Sequence, residues 1–335
     1  MKSRNIVVIF LISLIMFLGA GTLAVKAFSE EISMYSGLPR VTSDKVTEEL
    51  MKMTGINIHC LSLSGGVLWS RIQSEKPNIQ ADLVDGMGAF DAIEAKRQGL
   101  FVPYKSKAWD RIPERFKDPD GYYYHPNLWA AMLASNPKLL EEKRLDPPKS
   151  WHDLVDPKWK GQISIPSPLT SGSGQIILLG LVYMMGEDAA FDYLEKLDKN
   201  IKEYTKSGGA PAFQTARGEV VLGLSDTTNI YHYILENYPI KGVFLKEGYP
   251  YTLTALAIFK STKNLELAKK VVDAMATREV MAIKGKYQVV VAHPEVSGTE
   301  KEFFGKIPLM KDLNQTWMAD NLRRLQTKWK ERFMK

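Results

Sequence analysis

The feature that most constrains this chain is a unit that occurs three times between residues 32 and 99: a short apolar run, a turn of small residues, then a helical pattern. ISMYSG (32–37) leads into VTSDKVTEELMKMTG (41–55), INIHCLSLSGG (56–66) into VLWSRIQSEK (67–76), and ADLVDGMG (81–88) into AFDAIEAKRQG (89–99). Apolar runs of strand length, bounded by Gly and Ser and alternating with segments of 3.6 periodicity, are the pattern of parallel strands with crossover helices. The expected fold class is therefore α/β. Ser43 or Asp44 is expected near the first helix cap and Gly55 as its stop. The small-residue turns fall at the carboxyl ends of strands, where open α/β sheets bind ligands.

The front of the chain carries Lys2 and Arg4, an uncharged apolar run from Ile6, and then Val25-Lys26-Ala27. This reads as a signal sequence over residues 1–27, cleaved after Ala27. The run is also long enough to span a bilayer, so an uncleaved anchor is the alternative. Cys60 is the single cysteine, which rules out an intramolecular disulfide and a lipid anchor near the cleavage point. An exported, disulfide-free, unlipidated chain points to a bacterial periplasm. Removing residues 1–27 takes Lys2, Arg4 and Lys26 and lowers the formal charge from +6 to +3. That is too mild for nucleic-acid binding, which usually leaves a concentrated basic patch.

Residues 28–335 exceed the ~250–300 residues at which one hydrophobic core stops growing, so two lobes are expected. The pattern of strand, small-residue turn and helix resumes in the second half. GQISIP precedes SPLTSGSG, IKEYT precedes KSGGAPAFQTARGE, and VVLGLSD precedes IYHYILENY; YTLTALAIFK then reads as a strand returning to the first lobe. The expected division is 28–130 for the first part of lobe 1, 131–228 for lobe 2, and 229–335 for the return, the rest of lobe 1 and the C-terminal helices. Nothing in the pattern calls for more than a monomer.

SPLTSGSG holds more small residues than a helix cap needs. One hydroxyl suffices for a cap, whereas Ser171-Gly172-Ser173 at a helix entrance also presents free N–H groups at the positive end of the helix dipole. Ser207-Gly208 offers the same chemistry in the same lobe, and Ser64-Gly65-Gly66 offers it in the other. A helix terminus contributes roughly 0.3 to 2 kcal/mol to anion binding, and micromolar affinity requires about 8 kcal/mol. Several cradles must therefore converge on one ligand. Asp85, Asp226 and Glu247 lie at strand ends or turns, as solvated turn residues or as acceptors for ligand hydroxyls or an amine. Together, cradles and acids suggest a solute with an anionic end and a donor-rich end.

Signals for catalysis are poor. There is no G-x-S-x-G elbow, no Walker A loop and no H-E-x-x-H. His59, His125, His152, His232 and His293 are scattered without metal-ligand spacing, so no metal or cofactor is expected. The tyrosines at 122–124, 231 and 233 read as buried rings ahead of phenolate ligands.

SWHDLVDPKWKGQISIPSPLTSGSG, followed by YTKSGGAPAFQTARGEVVLGLSD, resembles the extracellular solute-binding proteins of ATP-binding-cassette (ABC) importers. Within them it is similar to the ferric-ion, sugar-phosphate and phosphonate-binding group with the type II periplasmic fold. The resemblance implies two mixed sheets flanked by helices, a hinge near residues 127–135 and 226–252, and an inter-lobe cleft. It also implies a permease and an ATPase as partners, and membrane contact only through them or an uncleaved signal. The iron binders' histidine, acid and tyrosine-pair positions hold Pro39, Met87 and Thr228-Asn229 here, which offer little to Fe³⁺. The family's anion-holding elements map onto Ser171, Gly172, Ser173 and Ser207.

The resulting expectation is a receptor for a small phosphorylated or phosphonate metabolite. Ser171, Gly172, Ser173, Ser207 and Gly208 would hold the anion, and Ser36, Gly37, Ser64, Gly65 and Gly66 would close on it. Asp226 and Glu247, and more weakly Asp85, would accept from the rest of the ligand. Ferric iron, free or chelated, is the alternative ligand. A phosphate-ester hydrolase using Asp85 or Glu247 as base is the remote one.

Overall fold

The computed structural model describes residues 30–287, 290–296, 307–311 and 313–334. The expected signal sequence lies outside them. Among the described residues no helix is long and apolar enough to cross a membrane.

The three N-terminal units form as expected. Strands β1 (Glu31–Ser36), β2 (Asn57–Ser62) and β3 (Leu83–Gly88) alternate with helices α1 (Arg40–Thr54), α2 (Gly65–Glu75) and α3 (Ala89–Arg97). β1 lies between β2 and β3 and is parallel to both. Gly55, at φ 70°, ends α1 in the left-handed conformation that glycine adopts without strain. The cap at the other end differs from expectation. α1 begins directly after Pro39, which places Ser43 inside the helix, where its hydroxyl donates to Ser36 Oγ at 2.8 Å. The end of β1 thereby competes for the hydroxyl, and Asp44 instead pairs with Arg40 on the surface.

A two-residue strand β4 (Phe101–Val102) precedes β5 (Tyr123–Ser135), on which the architecture turns. β5 runs through both sheets. Its first half pairs antiparallel with β10 (Tyr251–Phe259), up to Tyr251 opposite Ala130, and its second half pairs with β8 (Leu222–Asp226), starting with Asp226 opposite Ala131.

After β5 come α4 (Pro137–Lys143), β6 (Ile163–Pro166), α5 (Gly172–Met185), α6 (Glu187–Asp198), β7 (Ile201–Thr205) and α7 (Ala210–Ala216). They are followed by β8 (Leu222–Asp226), α8 (Thr227–Leu235), β9 (Lys241–Val243) and β10 (Tyr251–Phe259), then α9 (Leu265–Met275), α10 (Arg278–Tyr287), β11 (Val290–Val291) and α11 (Gln315–Phe333). The strand order is β2-β1-β3-β10-β5-β8-β6-β7, so two mixed sheets share one strand.

Alternate residues of the first sheet face two cores. Ile32, Met34 and Leu83 pack with α1, α9 and α10 on one face, while Tyr35, Val84 and Phe259 pack with α2 and α3 on the other. The core of the second lobe gathers around α5, which is buried from Gly172 to Val182 and apolar on all sides beyond Gln175. The expected boundary at 228/229 falls inside α8, and β9 still pairs with β5 in the second sheet, so the return crossing runs through residues 244–250. α11 does not join lobe 1 alone. Its Leu322, Leu325 and Trp329 are buried in the core of the second lobe, while Arg97 reaches Asp320 at 2.7 Å from the first lobe.

His125 of β5 is buried, and among the described residues its Nδ1 has no partner. Burial pushes the imidazole down to about 4, partly offset by a bond to the Thr254 backbone. Between about pH 6.5 and 4 the unfolded chain binds a proton that the folded one does not, so folding stability falls as pH drops through that window, by about 3 kcal/mol in all. Urea unfolding at pH 7 and pH 4.5 should show His125→Phe losing less stability between the two than wild type; parallel losses would mean the ring titrates normally.

Candidate functional site

The carboxyl ends of the strands in both sheets open on a common cavity of about 280 Å³ between the lobes. The first lobe lines it with Gly37 and Arg40 after β1, Ser64 and Gly65 at the start of α2, and Gly86 and Asp91 around the start of α3. The second lobe contributes Ser171, Gly172, Ser173 and Gln175 from the start of α5, Ser207 and Gly208 before α7, and Asp226 and Asn229 at the start of α8. Trp129, beside the sheet crossing in β5, forms the back wall.

The cleft is closed, and two helix entrances touch across it. Ser64, at the N-cap of α2, makes no side-chain cap bond; its hydroxyl crosses to the Thr170 carbonyl at 3.0 Å. A Cβ added at Gly65 would meet Gly172 Cα at 3.2 Å, and one at Gly66 would lie 2.8–2.9 Å from Thr170 backbone atoms. A Cβ at Gly172 would meet the Trp129 ring at 3.2 Å. The small residues are therefore required by close approach of backbone to backbone and to an indole.

Ser171 caps α5, but loosely, accepting from Gly174 N at 3.5 Å. The first N–H groups of a helix have no intrahelical acceptor, which leaves Gly172 and Ser173 N–H at the cavity. Ser173 Oγ donates to Asp226 Oδ2 at 3.3 Å. Asp226 caps α8 through Asn229 N (2.9 Å) and also takes Asn229 Nδ2 (2.7 Å), while burial pushes its carboxyl above the usual range. Asp91 is buried beside the Arg323 guanidinium of α11, and burial pushes it up to about 6 against the pull of that cation. Both acids on the wall are thus already engaged. Arg40 stands as a largely exposed cation at the mouth.

Nine of the residues expected at the site line this cavity: Gly37, Ser64, Gly65, Ser171, Gly172, Ser173, Ser207, Gly208 and Asp226. Four do not. Ser36 is buried beneath it, accepting from Ser43 Oγ and from Leu38 N. Gly66 sits in the lobe contact. Asp85 is turned away into a fully buried ion pair with Lys284 Nζ, at 2.6 and 2.7 Å, where burial holds the ammonium below its ordinary range. Glu247 accepts from Trp151 N at 3.2 Å in the return crossing, away from the cavity. Sequence reasoning passed over Arg40, Asp91, Trp129 and Gln175. The signal for Gln175 was present, as a single amide opening the otherwise apolar run QIILLGLVYMM.

Residues 81–302 match the model of a family described as bacterial extracellular solute-binding proteins. The chain belongs to that family. A relative from Haemophilus influenzae, an uncharacterized protein, is 32% identical over 256 residues, covering 73% of this chain and 72% of its own. Iron uptake protein A1 of Synechocystis is 23% identical over 266 residues, covering 76% and 73%. Among solved structures, the periplasmic binding protein AfuA of Actinobacillus pleuropneumoniae, with exogenous fructose-6-phosphate bound, superposes with a TM-score of 0.83 at 26% identity, covering 91% of this chain and 99% of that one. This solute-binding protein has the two-lobed type II periplasmic fold, and it is a binding protein, not an enzyme.

The contact at Gly66 gives a test of closure. Gly66→Ala places a methyl group against the Thr170 backbone, so the variant should stay open: small-angle scattering should show the expanded form with and without saturating solute, at near wild-type melting temperature. A variant that compacts like wild type would show that the lobe contact yields.

Proposed function

We propose that this solute-binding protein is the periplasmic receptor of an ABC importer, capturing a small phosphorylated or phosphonate metabolite in the cleft and delivering it to the permease and its ATPase. The observation that carries the reading is the meeting of the α2 and α5 entrances across the closed cavity, with Ser171 beside them and Ser207 and Gly208 from the turn before α7 on the same wall. Donors converge there from both lobes, and a tetrahedral anion can take several at once. The volume lies near the lower end of ligand pockets, about 300–1,000 Å³, which suits a small metabolite.

Ferric iron is the second reading, favoured by the relative that is named for iron uptake. Among the described residues the carboxylates on the wall are Asp91 and Asp226, one paired with Arg323 and the other held by Ser173 and Asn229. A hard trivalent cation wants several anionic oxygens free to coordinate it. Iron would thus enter only with a chelating anion that brings its own oxygens.

Thermal-shift titration with fructose 6-phosphate, 2-aminoethylphosphonate and ferric citrate separates the two. An organophosphate at about 100 times its Kd should stabilise the protein by ~2.7 kcal/mol; stabilisation by ferric citrate alone would overturn the proposal. The double variant Ser171→Ala, Ser173→Ala should lose that shift at nearly unchanged apo stability. If the hydroxyls serve only as caps, it will instead lose about 1 kcal/mol of apo stability and keep the shift.

A further inference from the structure

Gln175 is a buried polar residue in the cavity wall that the anion cradle does not account for. It occupies the first turn of α5, ahead of a run that is buried and apolar to Val182 apart from Gly180. Its side chain is fully buried, and among the described residues neither Oε1 nor Nε2 has a hydrogen-bond partner. A leucine would fill such a position without burying an amide, and a buried amide left unpaired carries the whole desolvation cost of its groups. The amide faces the gap between the two lobes. A Cβ at Gly65, across the cleft, would come within 4.0 Å of Gln175 Oε1.

We infer that Gln175 reads a hydroxyl of the solute, so that the ligand is a hydroxyl-bearing organophosphate such as a sugar or polyol phosphate; this rests on the organophosphate reading above. The amide is neutral and two-sided, with two donors on Nε2 and two acceptor positions on Oε1. A fully ionised phosphoryl oxygen only accepts, so it pairs with Nε2 and sets a negative charge against Oε1. An ammonium only donates, so it pairs with Oε1 and leaves Nε2 bare. A hydroxyl accepts from Nε2 and donates to Oε1, and it satisfies both ends of the side chain. Neighbouring acceptors on the wall are already engaged. Asp91 holds Arg323, Asp226 holds Ser173 and Asn229, and Ser207 Oγ accepts from Gly209 N at 3.3 Å. The position also fits, because the amide stands one turn into the helix whose first N–H groups would hold the phosphoryl end.

Isothermal titration of the purified protein with fructose 6-phosphate, 2-aminoethylphosphonate and inorganic phosphate tests this. Wild type should bind fructose 6-phosphate about tenfold or more tighter than 2-aminoethylphosphonate. Gln175→Met should raise the Kd for fructose 6-phosphate by about ten- to a hundredfold, leave that for inorganic phosphate within about twofold, and keep or raise the apo melting temperature. Gln175→Leu repeats the comparison should the methionine variant fail to fold. An unchanged Kd for fructose 6-phosphate with a lowered melting temperature would make the amide structural and overturn the inference. Equal weakening of inorganic phosphate would place it in the anion cradle, with the same consequence. Should wild type bind none of the three, the organophosphate reading itself fails and takes this one with it.

Discussion

Two helix N-termini of like polarity face each other in the closed cleft, and the surrounding structure depends on how that meeting is tolerated. The α2 and α5 entrances approach until Gly65 and Gly172 backbone atoms are nearly in contact. Each end carries about half a positive charge; at a separation of order 5 Å and an effective dielectric near 20, two such ends repel by about 1 kcal/mol. An anion between them converts that repulsion into two attractions and adds hydrogen bonds from groups that have no other partner. Under the organophosphate proposal, closure and binding are in this way linked through one electrostatic contact. The Ser64 to Thr170 bond is a single neutral hydrogen bond, worth about 1 kcal/mol. It offsets the repulsion without exceeding it.

The hinge that permits this meeting is a strand. β5 contributes to both sheets, so rotation of the lobes must bend it about Ala130 and Ala131, where its partner changes from β10 to β8, together with the return crossing at residues 244–250. Trp129 stands immediately before that point and packs on Gly172, which places an indole from the hinge against the helix entrance that would hold the ligand. α11 crosses the same junction on the outside. Leu322, Leu325 and Trp329 are buried in the core of the second lobe, and on the first-lobe side the helix lies along α3, with Arg97 paired to Asp320, Arg323 paired to Asp91 and the Arg323 guanidinium over the Trp69 ring. The Arg97–Asp320 pair is exposed and contributes at most about 1 kcal/mol, but the Asp91 carboxylate that Arg323 meets is buried and α11 packs on α3, so the helix is held by both lobes and straps them together across the junction.

Much of this was legible from local pattern. The alternation of apolar runs with 3.6-period segments gave both sheets, and small residues at strand ends marked most of the cavity wall. The failures share a cause, which is that a carboxylate beside a glycine looks the same whether or not a partner arrives from far away. Asp85, in LVDGMG, is neutralised by Lys284, 199 positions later, on a helix that the sequence pattern did not single out. Glu247 is likewise taken by a backbone amide 96 positions earlier. Asp226, by contrast, is retained at the cavity by local geometry, because capping α8 fixes it at the end of β8. Gln175 was missed for the opposite reason. Its surroundings read as core, and a polar residue within an apolar helix was absorbed into the pattern when its cost should have marked it.

The charges around the cavity also decide what kind of affinity it can have. Asp85 and Lys284 cancel within the first lobe, Arg323 offsets Asp91, and Asp226 is buried with its oxygens bonded. Few free charges remain at the wall to attract a ligand from a distance, and Arg40 at the mouth is exposed to screening. Selection then falls to neutral donors fixed in place, the helix N–H groups, serine hydroxyls and one amide. Such donors discriminate by geometry, since each must meet an acceptor or be left unpaired as water is expelled. Under the organophosphate proposal, a cleft of this construction favours a shaped anion over a merely charged one. The uncommitted amide of Gln175 is the part of the wall from which selectivity beyond the phosphoryl group can arise.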